Sequence, residues 1–269
     1  LTQYEVGGTN MLGNGGTLKP NFWRALTDND MGANFQHKLG VWRNPEMKLQ
    51  SLNVQMVARD KTHKDPVVTA LYDMPAVKAQ LKLTYTVLDG GELNVKMQMT
   101  TDKNAKVSDM LRFGMVMQMP YNMDQIRYFG RGPIENYSDR KASERIGIYK
   151  QTADNQFFPY IRPQENGTKQ DIKWWQQTNA SGTGLEIHGE LGDLSMSALH
   201  YAIADLDDGL EKGQRHSYQV KKSPFTNLCI DKEQTGVGGT NSWGEWPLER
   251  YRLHYGDRTH EFSLRPIAK

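Results

Sequence analysis

The sequence has a single cysteine, Cys229, set in the apolar run Asn227-Leu228-Cys229-Ile230. One cysteine excludes an internal disulfide, reads as a buried thiol, and leaves the redox compartment open. Long apolar runs are missing too, since no stretch reaches the roughly 18 residues of a transmembrane helix. Neither sign of charge dominates: 33 Lys and Arg stand against 31 Asp and Glu, for a formal net charge of +2. With no basic stripe and no polybasic run, neither nucleic acid nor a membrane surface is an expected partner. A Gly-rich phosphate loop, a G-x-S-x-G elbow and an H-E-x-x-H helix are all absent, so the common kinase, dehydrogenase and hydrolase motifs are not here. The chain opens at Leu1-Thr2-Gln3 without a methionine or a signal-type apolar region, and it reads as a fragment or a processed chain.

What is present is alternation. Hydrophobic residues make up only 37%, but 10% aromatic content supplies a sizeable core. Leu52, Val54 and Met56 alternate with polar residues, and Val67 to Tyr72 is β-branched with an aromatic end. Leu81, Leu83, Tyr85 and Val87 lead into Asp89-Gly90-Gly91, and Leu93, Val95, Met97 and Met99 lead out, which predicts a hairpin. Leu111, Phe113, Met115, Met117 and Met119 share one face of a further strand, as core filler rather than metal ligands. Tyr4–Val6, Ile172 to Gln177, Leu185 to His188, Leu194 to Tyr201, Leu228 to Asp231, Arg250 to Tyr255 and His260 to Leu264 complete the predicted strands. Phe35, Leu39 and Trp42 predict one short helix from Ala33 to Trp42, and Ala204 to Lys212 a single helical turn. A dozen or more short strands with almost no helix mean an all-β antiparallel sandwich, read as one domain over residues 1–269.

Residues 131–167 combine turns, apolar side chains and charge. Tyr137, Ile146, Ile148, Tyr149, Phe157, Phe158, Tyr160 and Ile161 imply that this stretch crosses a core with its polar groups satisfied internally. Arg131, Arg140 and Arg162 can each fork onto a carboxylate, with Glu135, Asp139, Glu144 and Glu165 as the local supply. A buried structural network and a catalytic carboxylate pair both fit that composition, and the network is favoured. Asp205-Leu206-Asp207-Asp208-Gly209 lacks the spacing of a calcium loop and reads as a solvated turn, so no metal site is expected. The seven histidines are scattered.

Two stretches carry more signal. In residues 236–247 four glycines surround Asn241, Ser242 and Trp243, with Trp246 close behind. Glycines let the backbone turn so that an indole can stand free, and an indole face suits the C–H face of a pyranose. A tryptophan that plugs the core fits the same composition. Thr27-Asp28-Asn29-Asp30-Met31-Gly32 is either a functional loop or a capping turn ahead of the Ala33–Trp42 helix.

Together these motifs resemble the C-terminal domain of the large bacterial β-galactosidases of glycoside hydrolase family 2. The matching stretches, in order, are Asn21-Phe22-Trp23-Arg24-Ala25 with Asp28-Asn29-Asp30; Gly130-Arg131-Gly132-Pro133 with Glu135-Asn136-Tyr137 and Asp139-Arg140; Arg162-Pro163 with Glu165-Asn166-Gly167; and Val237-Gly238-Gly239 with Ser242-Trp243. The resemblance implies a large two-sheet supersandwich of the galactose mutarotase-like type. It implies hydrolysis of terminal β-galactosides such as lactose with retention, by two glutamates about 5–5.5 Å apart in a TIM barrel absent from this chain. No catalytic residue is therefore expected here. Any Mg2+ or Na+ of the full enzyme would sit in that barrel, and this chain is expected to bind no cofactor. Trp243 matches a wall of the galactoside pocket, and Gly32 the start of a mobile loop. Asp30, Asn241 and Ser242 are further substrate-binding candidates. Asn241 replaces an aspartate of some relatives, and Leu26 stands where proline is common. The implied partners are the barrel, in the same or a separate chain, and further copies of the enzyme; the compartment, cytoplasmic or periplasmic, is left open.

Two other readings compete. A free-standing aldose epimerase on the same fold would use Glu165 as base and His188 or His200 as acid. A carbohydrate-binding module would use Trp174, Trp175, Trp243 and Trp246 as a stacking platform.

Overall fold

A computed structural model describes residues 1–213, 215–241 and 243–267. Among them are sixteen strands: β1 (Glu5–Val6), β2 (Thr9–Asn10), β3 (Leu18–Asn21), β4 (Lys48–Ala58), β5 (Lys64–Met74), β6 (Ala79–Val87), β7 (Leu93–Thr101), β8 (Arg112–Pro120), β9 (Gln125–Gly132), β10 (Arg145–Thr152), β11 (Lys169–Ile172), β12 (Trp174–Thr178), β13 (Gly184–Gly189), β14 (Leu194–Leu199), β15 (Phe225–Gln234) and β16 (Arg258–Ile267). A nine-stranded antiparallel sheet runs β10-β9-β12-β13-β16-β7-β6-β5-β4, and a five-stranded one runs β11-β14-β15-β8-β3. The small hairpin β1-β2 stands apart. Among the described residues helix is confined to single turns, α1 (Asp28–Gly32), α2 (Phe35–Lys38), α3 (Ala153–Gln156) and α4 (Ile203–Leu206), with short 3-10 turns between elements. No described helix is long and apolar enough to cross a membrane.

Period-two alternation explains the core. Leu81, Leu83, Val95, Met97, Met99, Phe262 and Leu264 from the nine-stranded sheet join Met115, Met117, Met119, Met196, Leu228 and Ile230 from the five-stranded sheet in one buried cluster. The predicted hairpin is present, its turn made by Gly90 and Gly91 at φ 71° and 81°, where a side chain would be strained.

Several expectations are corrected. The Ala33–Trp42 helix is reduced to α2 and a 3-10 turn at Gly40–Trp42: Asn34, left-handed at φ 64°, delays its start, and Leu39, at φ −112° and ψ 2°, leaves helical geometry between the two. Phe35, Leu39 and Trp42 are nonetheless all buried. The predicted strand from Ile172 to Gln177 is two strands in different sheets, with Asp171 at φ 57° just before the crossing. The Arg250–Tyr255 strand reduces to a 3-10 turn and one bridge, Leu253 to Met110.

The central stretch does not cross a core. Tyr137 is buried, but Ile146, Ile148, Phe158 and Ile161 are exposed, as are Leu52, Val54 and Met56 on β4. On β4 the cause is cover: register puts Leu52 beside the buried Ala70 on the core side, but five strands cannot cover nine. On β10 register puts Ile146 and Ile148 beside Arg131 and Phe129, on the face opposite the buried Tyr128.

Candidate functional site

The Gly-rich loop is built from its two ends. Arg24 is fully buried and forks onto Asp30, with Nε donating to Oδ2 at 3.0 Å and Nη2 to Oδ1 at 2.8 Å. The same guanidinium donates to the carbonyls of Thr235 and of Gly236, the latter at 2.9 Å, and so fixes the root of the loop. Asp139 then accepts from the backbone N–H groups of Val237 at 3.1 Å and Gly238 at 2.9 Å. At the far end Trp246 meets the ring of Phe35 edge-on, with centroids 4.5 Å apart, and the charged ends of Lys38 and Arg252 lie over its indole.

Between these anchors the loop lies against α1. Thr27 caps that helix in a reciprocal box: its hydroxyl accepts from the Asp30 N–H at 3.1 Å, and Asp30 accepts from the Thr27 N–H at 3.0 Å. Asn29 reads the loop with both ends of its amide, accepting from the Gly244 N–H at 3.2 Å and donating to the Glu245 carbonyl at 3.3 Å. Gly32 and Gly244 meet backbone to backbone. A β-carbon on Gly244, whose φ is +92°, would lie 2.1 Å from the carbonyl carbon of Gly32. Asn241 accepts from the Trp243 N–H at 2.9 Å and makes the turn that throws the indole outward. The Trp243 side chain is left 86% exposed. A held backbone with a free aromatic face is an arrangement for stacking a flat or ring-shaped ligand.

The sequence candidates fall into two groups. Trp243, Gly32 and Asn241 come together, while Ser242 lies outside the described residues. Asp30 is buried, its two oxygens taken by Arg24 and Thr27, so it holds α1 to the loop root instead of facing solvent. The six-residue stretch from Thr27 is thus neither a free loop nor a turn before a longer helix, but a capped helical turn of its own.

The stacking platform does not form. Trp175 is buried against Tyr128, Trp174 sits under Arg127, and Trp246 is wedged as described. The epimerase constellation is not assembled either. Glu165 accepts from Arg112 at 2.7 Å and from Thr168 at 2.9 Å. His188 pairs with Glu186 at 2.6 Å, and His200 stacks on Tyr121 at 3.8 Å. Among the described residues no hydrogen bond joins Glu165 to either histidine.

The arginines find partners mostly from outside the central stretch. Arg140 does reach the local Glu135, at 2.7 Å, and Glu135 also accepts from the Tyr160 hydroxyl and the Gly167 N–H. Arg131 instead pairs with Asp171 at 2.7 Å. Arg162 bonds Asp28 and Asp208, each at 2.9 Å, and the Leu26 carbonyl. The acidic run at 205–209 is therefore no solvated turn: Asp208 is enclosed between Arg162 and Arg215, and Asp207 accepts from the Trp23 indole. Deeper still, Arg112 lies between Glu165 and Asp231, with its Nη1 3.0 Å from the sulfur of Cys229. Burial pushes the Asp231 carboxyl up to about 7, against the pull of Arg112 and with help from the negative charge of Glu165. Burial likewise pushes the Cys229 thiol up to about 12, so it stays protonated and unreactive. Among the described residues no group of three or more His, Cys, Asp or Glu is placed to hold a metal ion.

The family described as β-galactosidase small chain matches residues 1–265. The chain belongs to that family. As a small-chain member it is 30% identical over 266 residues to the β-galactosidase of Priestia megaterium, covering 98% of this chain and 24% of that protein. It is 32% identical over 225 residues to the β-galactosidase of Lactobacillus delbrueckii subsp. bulgaricus, covering 83% of this chain and 21% of that protein. The small-chain sequence thus spans about a quarter of these relatives. Among solved structures, a putative aldose 1-epimerase from Escherichia coli K12 aligns over 97% of this chain and 90% of its own, at 11% identity and a TM-score of 0.43.

Within this family member, sequence reading missed Asn29, Gly244 and Arg24 as the parts that hold Trp243. Their signal was available only in part. Asn29 and Arg24 stand in the matched motifs, but nothing in one sequence says that residues more than 200 positions away are their partners.

Proposed function

We propose that this chain is the C-terminal sandwich of a retaining β-galactosidase and supplies the Trp243 wall and the Gly32 loop, not the catalytic carboxylates. The observation that carries the reading is the Trp243 ring, 86% exposed on a loop anchored at both ends. Membership of the small-chain family, with relatives about four times as long, supports a catalytic part elsewhere in the enzyme. In this reading Trp243 receives the galactoside and borders the leaving-group side. Asn241 sets the angle of the ring, and Gly32 lets α1 approach the loop. Acid, nucleophile and any Mg2+ or Na+ belong to the catalytic part, and the chain alone is expected not to turn over a chromogenic galactoside.

The test is Michaelis kinetics of wild type and Trp243→Ala in the enzyme joined to its catalytic part, with lactose and with an aryl galactoside. Stacking contributes about 0.5–1.5 kcal/mol beyond burial, so kcat/KM should fall by roughly two- to tenfold, and unequally for the two substrates. Unchanged kinetics on both would remove Trp243 from the site. A lower melting temperature of the isolated variant chain would instead make the ring a packing element.

A further inference from the structure

The five-stranded sheet has a second face, turned away from the core. Register places Asn227 beside Gln118, and Cys229 beside Val116, on β15 and β8; Ser197 on β14 lies beside Cys229, and Lys19 on β3 beside Val116. These are the alternates of Leu228, Ile230, Met115 and Met117, which enter the core. The loops that fold over this second face leave a pocket of about 350 Å³. None of the residues that hold Trp243 lines it.

Its lining combines two chemistries. Trp23, Leu199, Ile203 and Tyr201 supply apolar surface, and besides Asn44 and Asn166 the primary amides of Asn21, Gln118 and Asn227 line the pocket. Those amides have hydrogen-bonding capacity to spare. The Asn21 Nδ2 is buried with no partner. Gln118 Nε2 stands 3.5 Å from Asn227 Oδ1, and the Asn227 Nδ2 reaches carbonyls only at 3.4 and 3.5 Å, the long limit of a hydrogen bond. Amides that both donate and accept, beside apolar surface, match a ligand that carries both hydroxyls and ring C–H groups.

The charged side chains indicate that the ligand is neutral. Glu165 is bonded to Arg112, and Arg43 is paired with Asp207, which also takes the Trp23 N–H. Lys19 is exposed. A volume near the lower end of the roughly 300–1,000 Å³ usual for small-molecule sites suits one ring, not a chain of them. We propose that this pocket binds a single neutral monosaccharide, with Asn21, Gln118 and Asn227 bonding its hydroxyls.

Two methionines report on this and on the Trp243 loop separately. Met47 lines the pocket and is 36% exposed, whereas Met31 lies in α1 beside Gly32. The full 269-residue chain, labelled at the methionine methyls and assigned with Met47→Leu and Met31→Leu, is titrated with D-galactose, D-glucose and D-glucuronate. The expected result is a saturable shift of Met47 with both neutral sugars while Met31 stays still. Gln118→Met, which keeps the volume and removes the amide, should weaken that binding by about threefold to tenfold. No movement of Met47 up to about 100 mM neutral sugar would overturn the proposal. So would tighter binding of glucuronate, or unchanged affinity in Gln118→Met. Movement of Met31 in place of Met47 would put the sugar at the Trp243 loop and sink the pocket while leaving the galactosidase reading intact.

Discussion

Asp231→Asn is expected to change the pH dependence of stability in a direction opposite to that of an ordinary ion-paired carboxylate. Arg112 is buried between two carboxylates, and Glu165 holds the better geometry, accepting from Nη2 at 2.7 Å. Asp231 lies 3.2 Å from Arg112 Nε, yet neither its oxygens nor that nitrogen completes a hydrogen bond. With one positive charge available to two buried acids, the cluster keeps a proton on Asp231, whose carboxyl titrates at about 7 instead of its usual 3.8. Between those values the unfolded chain has released the proton and the folded chain has not. Stability from this group is therefore complete below the unfolded value, declines as pH rises, and levels off above the folded one. Each tenfold in proton affinity is about 1.4 kcal/mol, so the stretch from about pH 5 to about pH 7 is worth roughly 3 kcal/mol. Asn has nearly the same shape and no proton to lose. Urea unfolding of wild type and Asp231→Asn at several values from about pH 5 to about pH 8 should show the variant gaining on wild type by roughly 3 kcal/mol across the range. The difference curve cancels the titrating groups that do not interact with Asp231. A flat difference would refute the protonated cluster. A variant that loses ground as pH rises would mean that the attraction of Arg112 outweighs burial and that Asp231 is an ordinary ion-pair partner.

Arg162→Ala leaves the enclosed Asp208 with one partner fewer and strips the Leu26 carbonyl, and it should cost about 3–5 kcal/mol in chemical denaturation, since Arg162 and Asp208 are both shielded from water. Unchanged stability would contradict a scaffold role for that arginine. Burial lowers His260 to about 4, against the hydrogen bond it makes to the Ile230 carbonyl. The folded ring stays neutral where the unfolded one protonates, so wild type should lose up to about 3 kcal/mol as pH falls from roughly 6.5 to 4. His260→Gln, less stable at neutral pH, should lack that acid-dependent part, and a parallel pH profile would count against the burial argument. On the edge strand β4, Val54 is 71% exposed, and Val54→Lys should raise the soluble yield of the isolated chain while leaving its melting temperature within about 1 °C. Equal or worse aggregation by light scattering would show that this edge is not where chains stick.

How far the sequence could be read depended on what set each feature. The methionine-rich strand β8 and the hairpin around Gly90 were legible because side-chain alternation and positive-φ turns are local properties. The outward stance of Trp243 was open in the sequence beside a core-plug reading, since glycine permits a free ring without requiring one. Val54 was misjudged because alternation gives a face but not a cover, and the cover is set by the unequal widths of two sheets; Ile148 lies on the outer face of its sheet beside Phe129, and Ile161 lies in no strand. Arg112 passed unnoticed at the start of a strand, although its partners Glu165 and Asp231 are 53 and more than 100 positions away. Likewise, the cap at Thr27 is local, but its service to the loop is not: Arg24 and Asn29 hold residues more than 200 positions later.

Gly32 and Gly244 touch without a side chain between them. Most contacts in a protein have slack, because a rotamer can swing or a methyl can shift when a neighbour moves. Here backbone meets backbone, so a tilt of α1 bears directly on the backbone carrying the indole. The same closeness limits mutational drift. A side chain at either position forces the two segments apart, after which the second position has already lost its reason to be glycine. The two losses should therefore add to far less than their sum, and a chain that has lost one glycine gains little by keeping the other.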